Sequence, residues 1–136
     1  MKKVLVLCTG NSCRSIMAEA MINQLGEGRY TAVSAGSEPA GYVHPGSIAA
    51  LQRHGFGVGE PRSKSWDEFA DQAFDIVITV CDRAATESCP VFIGNVAKKH
   101  WSTPDPASVQ GSEEEVAKAF DNALTLLRDR IEKELP

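Results

Sequence analysis

No run of eighteen apolar residues occurs anywhere in the 136-residue chain, so no segment has the length and apolarity of a membrane-spanning helix. Basic clusters are missing too. Fourteen Lys and Arg stand against 18 Asp and Glu, a net charge of −4, and nothing gathers to neutralise a nucleic-acid backbone. An anion bound by such a chain has to be held by local groups, not by the overall field. Histidine is scarce, and His44, His54 and His100 show no ligand spacing, which gives them structural or surface roles. Linkers, repeats and low-complexity stretches are absent. With 43% hydrophobic and 24% charged residues, the chain reads as one α/β domain over residues 1–136. The start, MKKVLVLCTGNS, sets two lysines before an apolar run, as a secretory leader does, but the run is short and Asn11 and Arg14 interrupt it. The expected location is cytoplasmic.

What the chain does have is four cysteines, Cys8, Cys13, Cys81 and Cys89. In a reducing compartment their expected use is catalytic or metal-binding, not structural bridging. A four-thiol zinc site wants ligand pairs separated by roughly two to four residues. The seven residues between Cys81 and Cys89 fit that poorly, so no metal is expected.

Periodicity supplies the scaffold. Lys2–Cys8 is a short apolar run suited to a buried strand, and from Ser15 the pattern becomes helical through Met17, Ala18, Met21, Ile22 and Leu25 up to Gly26. Further strands are expected at Tyr30–Ser34, Phe74–Val80 and Val96–Trp101, and a helix opens at Pro45 and runs to about His54. Ser65 with Glu68, and Ser112 with Glu115, have capping-box spacing. Behind the second box, Val116, Phe120, Leu124, Leu127, Ile131 and Leu135 hold a helical stripe. Strands alternating with helices imply a four-stranded parallel sheet with helices on both faces, a three-layer sandwich. Ligands in such sheets bind beyond the strand carboxyl ends, which is where both Cys8 and Cys81 fall. The glycines of Gly55–Gly59 follow a helix instead of a strand, so they make no nucleotide loop.

Cys8-Thr9-Gly10-Asn11-Ser12-Cys13-Arg14-Ser15 has the form C-x5-R-S between a strand and a helix. Such a loop can wrap the N–H groups of Thr9 to Arg14 around a tetrahedral oxyanion, helped by the positive helix end. Gly10 and Asn11 tolerate the left-handed conformations a tight cradle needs, and the Arg14 fork can hold two oxygens. The same field should lower the Cys8 pKa, with Ser15 placed to donate its hydroxyl to the sulfur. Anion site and nucleophile then coincide. Cys13 reads either as a second redox thiol or as a structural loop residue.

CTGNSCRS resembles the phosphate loop of the low-molecular-weight protein tyrosine phosphatase superfamily. Together with VSAGSEPAG, VITVCDRAATESCPVF and HWSTPDPA, it is similar to the thioredoxin-coupled arsenate reductases of that superfamily, from Val4 to Ala107. The resemblance implies a phosphotyrosine protein phosphatase I-like fold and three working thiols. Cys8 would attack arsenate, Cys81 would attack the Cys8 sulfur as arsenite leaves, and Cys89 would then attack Cys81. It makes Asp105 the general acid and a thioredoxin-type protein the external reductant, with phosphate and sulfate as competing oxyanions and no cofactor. Asn11, Glu19 and Ser34 match positions that hold potassium in some such enzymes, while Lys64 stands where a further carboxylate is expected and would replace the ion. Ala107 follows the Asp-Pro pair where phosphatases often carry tyrosine, which argues against a phosphotyrosine pocket. The alternatives are a phosphomonoester hydrolase using Cys8, Arg14 and Asp105, and a non-enzymatic anion-binding or redox-sensing domain.

Overall fold

The computed structural model describes residues 1–81 and 96–135. Its strands, β1 (Lys2–Leu7), β2 (Tyr30–Ala35), β3 (Ile76–Thr79) and β4 (Ala97–His100), form an all-parallel sheet in the order β2-β1-β3-β4. The helices are α1 (Arg14–Leu25), α2 (Pro45–Arg53) and α3 (Glu113–Glu134), with short 3-10 turns at Trp66–Phe69 and Pro106–Ser108.

β1 is central and apolar on both faces, so it reads as an unbroken hydrophobic run, as buried parallel strands do. Val4, Val6 and Cys8 point into a core filled by Met17, Met21 and Ile22 of α1, Leu51 of α2, and Phe120, Leu124 and Leu127 of α3. Leu5 and Leu7 point the other way, onto Phe69, Phe74 and Val77, with half-buried Trp66 packed alongside. Trp101 is in the first core. Among the described residues all three α-helices therefore share one face, and the Trp66–Phe69 turn covers the other.

The caps follow the residues. Pro45 occupies the first turn of α2 and His44 Nδ1 accepts the Gly46 N–H at 2.9 Å, so His44 is a cap. His54, at the end of α2, sits 3.2 Å from Asp121 of α3. Ser112 Oγ accepts the Glu115 N–H at 3.2 Å. The other expected box is only half made: Ser65 Oγ accepts from Asp67 N–H, but Glu68 turns away to a bidentate pair with Arg62 at 2.8 and 2.9 Å.

From β1 the chain crosses to β2 on one side and later returns to β3 on the other. The crevice between the carboxyl ends of β1 and β3 is thus the topological switch point, where open α/β sheets place their ligands.

Candidate active site

At that crevice lies an open cleft of about 600 Å³. Its floor is the loop from Cys8 to Arg14, one end carries Cys81, and the far wall is Ser102 to Asp105 with Ala107.

The loop's shape follows from where its carbonyls go. Thr9 C=O accepts from Glu38 N–H, Gly10 C=O from Ala40 N–H and Ser63 Oγ, and Ser12 C=O from His44 N–H and Ser47 Oγ, all at 2.9–3.1 Å. Among the described residues every peptide bond is trans, so a carbonyl facing out sets the next N–H facing in. The N–H groups of Gly10, Asn11 and Cys13 are turned toward the cleft in this way, and the Gly10 N–H bonds the Cys8 sulfur. Cys13 caps α1 without a side-chain bond, and no acid occupies the first turn, so the helix end is open to an anion.

Asn11 makes the bend with a left-handed φ of 48°. Fully buried, it donates to Ser15 Oγ (2.8 Å) and Ser34 Oγ (2.9 Å) and accepts the Lys64 N–H (2.9 Å). Gly36 is needed behind the loop, because a Cβ there would lie 2.4 Å from Thr9 O. Lys64 Nζ is 3.8 Å from Glu19 Oε1 and donates to Arg62 O at 2.8 Å. Burial raises the Glu19 pKa and lowers that of Lys64, each partner opposing the shift of the other. An ammonium thus stands beside Glu19, the residue the resemblance gave to a potassium ion.

Arg14 Nη1 donates to Thr103 O at 2.8 Å, and Nη2 lies 4.0 Å from Asp105 Oδ2. Its Nε is buried and has no hydrogen-bond partner among the described residues. The Nε–Nη2 edge is therefore the one offered to an oxyanion, since a buried donor is rarely left without an acceptor. Asp105 stands at the rim, its Oδ1 accepting the Ala107 N–H at 2.9 Å.

Cys81 Sγ receives the Thr9 N–H at 3.3 Å and lies 3.5 Å from Thr9 Oγ1, so the second thiol rests on the oxyanion loop itself. Two expectations need correction here. The Cys8 pKa is pushed up, first by its hydrogen bond with Cys81 and then by burial, against the pull of Arg14 and the Gly10 N–H. The depressed value expected from loop and helix neglected a second sulfur at the first. Ser15 Oγ is bonded to Asn11, and among the described residues no bond joins it to Cys8. Its hydroxyl serves the loop's bend. The Cys13 pKa is raised by burial, its thiol bonded to Ser12 and Ser47.

The structure thus brings together Cys8, Thr9, Gly10, Ser12, Cys13, Arg14, Cys81 and Asp105 around one cleft, with Asn11 and Ser15 buried beneath it. Cys89 lies outside the described residues. Thr9 as a donor to Cys81, Ser63 as a brace for the loop and Thr103 as the anchor of Arg14 carry no motif and were missed; only the position of Thr9, directly after Cys8, was a signal.

The chain also has relatives. An arsenate reductase of Halalkalibacterium halodurans is 36% identical over 98% of this chain and 92% of that protein. One of Bacillus subtilis is 34% identical over 97% of this chain and 94% of its own. A solved arsenate reductase in a phosphate-binding state superposes with a TM-score of 0.75 at 28% identity, covering 98% of this chain and 95% of that one. Residues 3–136 match the family model described as low molecular weight phosphotyrosine protein phosphatase, and the chain belongs to that family.

Proposed function

We propose that this protein reduces arsenate to arsenite, as one cytoplasmic domain, with Cys8 as the nucleophile. The oxyanion enters the loop, receives the inward N–H groups and the Nε–Nη2 edge of Arg14, and takes the Cys8 proton onto one of its own oxygens. Cys8 attacks arsenic, and Asp105 at the rim protonates the oxygen that leaves as water. Cys81 then attacks the Cys8 sulfur. The S–As electron pair stays on arsenic, which goes from As(V) to As(III), and a Cys8–Cys81 disulfide forms. Cys89 attacks Cys81 and frees Cys8, and a thioredoxin-type protein reduces the Cys81–Cys89 bridge. Phosphate and sulfate occupy the loop as competitors, because a cradle of N–H donors reads shape and charge more than element.

The observation that carries this reading is Cys81 on the Thr9 N–H. A phosphomonoester hydrolase needs Cys8, Arg14 and Asp105 but has no use for a second sulfur against its nucleophile. The test is a thiol count. Fully reduced protein is exposed to arsenate without reductant, and the bridge is mapped. Two thiols are lost per arsenite formed, because two electrons have to come from somewhere, and the bridge joins Cys81 to Cys89. In Cys89→Ser it joins Cys8 to Cys81 after a single turnover. Four intact thiols after verified exposure would end the proposal and favour the hydrolase.

A further inference from the structure

The last paired residues of β1 and β3 are Leu7 and Thr79, and the Val80 N–H still bonds Leu7 O at 3.0 Å. The two strands therefore release Cys8 and Cys81 side by side into one open cleft. Neither thiol is in a disulfide, and Cys81 Sγ takes the N–H of Thr9, the residue next to Cys8, at 3.3 Å. Sulfurs released from neighbouring paired strands, whose axes lie about 4.8 Å apart, are close enough for a single thiophilic atom to bridge them. We propose that Cys8 and Cys81 of the reduced chain form a dithiol site for trivalent arsenic. Insofar as the site reduces arsenate, as proposed above, its own product is then a ligand of the resting enzyme.

The chemistry needs no oxidant or reductant. Arsenous acid, As(OH)3, is uncharged near neutral pH, so neither Arg14 nor Asp105 bars its entry. Two As–O bonds break and two As–S bonds form. Each thiol proton leaves on a departing hydroxide, giving (RS)2As–OH and two waters, and arsenic stays trivalent. One thiol alone competes poorly against bulk water, but the second attachment is intramolecular and gains the advantage of effective concentration. The ligand count is two. Cys13 shares the cleft, but its thiol bonds Ser12 and Ser47, and among the described residues no three His, Cys, Asp or Glu side chains close up as a metal site. The third arsenic position keeps its hydroxide.

This site exists only while both sulfurs are reduced. Oxidation of Cys81 removes it, so trivalent arsenic captures the enzyme that is ready for the next arsenate and competes with it.

The probe is phenylarsine oxide, which condenses with two thiols and loses one water. Reduced full-length protein is mixed with one equivalent under oxygen-free, phosphate-free conditions, then alkylated and peptide-mapped. Cys8 and Cys81 should be protected together, Cys13 and Cys89 alkylated, and the intact mass should show one arsenic per chain. Cys8→Ser and Cys81→Ser should each weaken retention by about a hundredfold or more. Cys13→Ser should retain it fully, and the alanine variants stand in for any serine variant that fails to fold by circular dichroism. Alkylation of Cys81 with the arsenical bound, retention in Cys81→Ser, or protection of Cys8 with Cys13 would overturn the proposal. Arsenate reduction is assayed on the same preparation. Capture without reduction would leave the dithiol site standing and remove the reductase reading; reduction with Cys81 unprotected would do the opposite.

Discussion

The loop from Cys8 to Ser15 and the turn from Thr103 to Ala107 border the same cleft, yet they are held in different ways. Behind the loop stand buried polar side chains, Asn11, Ser34 and Lys64, and outward carbonyls each met by a donor from a neighbouring segment. The turn has its own prolines, of which Pro106 is buried, a single buried polar side chain in Thr103 (5% exposed), and Asp105 with a side chain 44% exposed. An oxyanion cradle has to be formed before the anion arrives, since its donors stabilise charge only if they need not reorganise. A general acid can stand at the rim and act by reach.

If the loop is the pre-built wall, damage there should be the more severe. Cys8→Ser is the largest expected effect: arsenate turnover falls by at least about a thousandfold, ~4 kcal/mol of transition-state stabilisation, with the circular dichroism unchanged. Substantial residual turnover would mean that the nucleophile lies elsewhere. Asn11→Ala should come next, and in stability. It strips partners from Ser15, Ser34 and the Lys64 N–H in a fully buried place and puts alanine at a left-handed φ. A loss of about 3 kcal/mol is expected in urea unfolding. A loss within experimental error would show that the loop holds itself up without its backing.

Arg14→Lys keeps the charge and loses the fork. A drop of about a hundredfold in kcat/KM is expected, with weaker phosphate inhibition, because an ammonium cannot supply two aligned donors. Near-wild-type kinetics would take Arg14 out of the site. On the other wall, Asp105→Asn retains an oxygen for the Ala107 N–H, so the turn should survive. The expected loss is about tenfold in kcat with phosphate inhibition unchanged. An equal loss in both would make Asp105 a binding group instead of an acid.

The same contrast decides what the sequence made legible. Strand and helix periods placed the four strands and three α-helices found among the described residues within about two residues; β1 and β3 stood out most, because the sheet buries both their faces and leaves continuous apolar runs. The loop was legible because backbone cradling demands glycine, a left-handed-tolerant residue and a fork in a fixed spacing. What escaped were contacts between distant segments. Nothing in Ser63-Lys64 announces that its hydroxyl and backbone brace residues 10 and 11, which are more than fifty positions away. The upward push on Cys8 was hidden for a related reason, since it depends on two strand ends meeting and local spacing carries no trace of that.

The smallest expected effect lies where the two walls touch. Arg14 belongs to the loop's helix, but its Nη1 is tied to Thr103 O on the turn. The Thr103 N–H is in turn bonded to Val80 O, and its hydroxyl to Trp101 O. Pro104 restricts Thr103 to extended backbone, which fixes the direction of that carbonyl. Pro104→Gly keeps the carbonyl and frees its aim. Phosphate should then bind about threefold more weakly, roughly 0.6 kcal/mol, with a stability cost near 1 kcal/mol from unfolded-state entropy. Pro104 acts through Arg14, so the same substitution placed on Arg14→Lys should cost no further affinity, a non-additive cycle measured by calorimetry with inorganic phosphate. Equal losses in both backgrounds would mean that the turn shapes the cleft directly and that the two walls are independent.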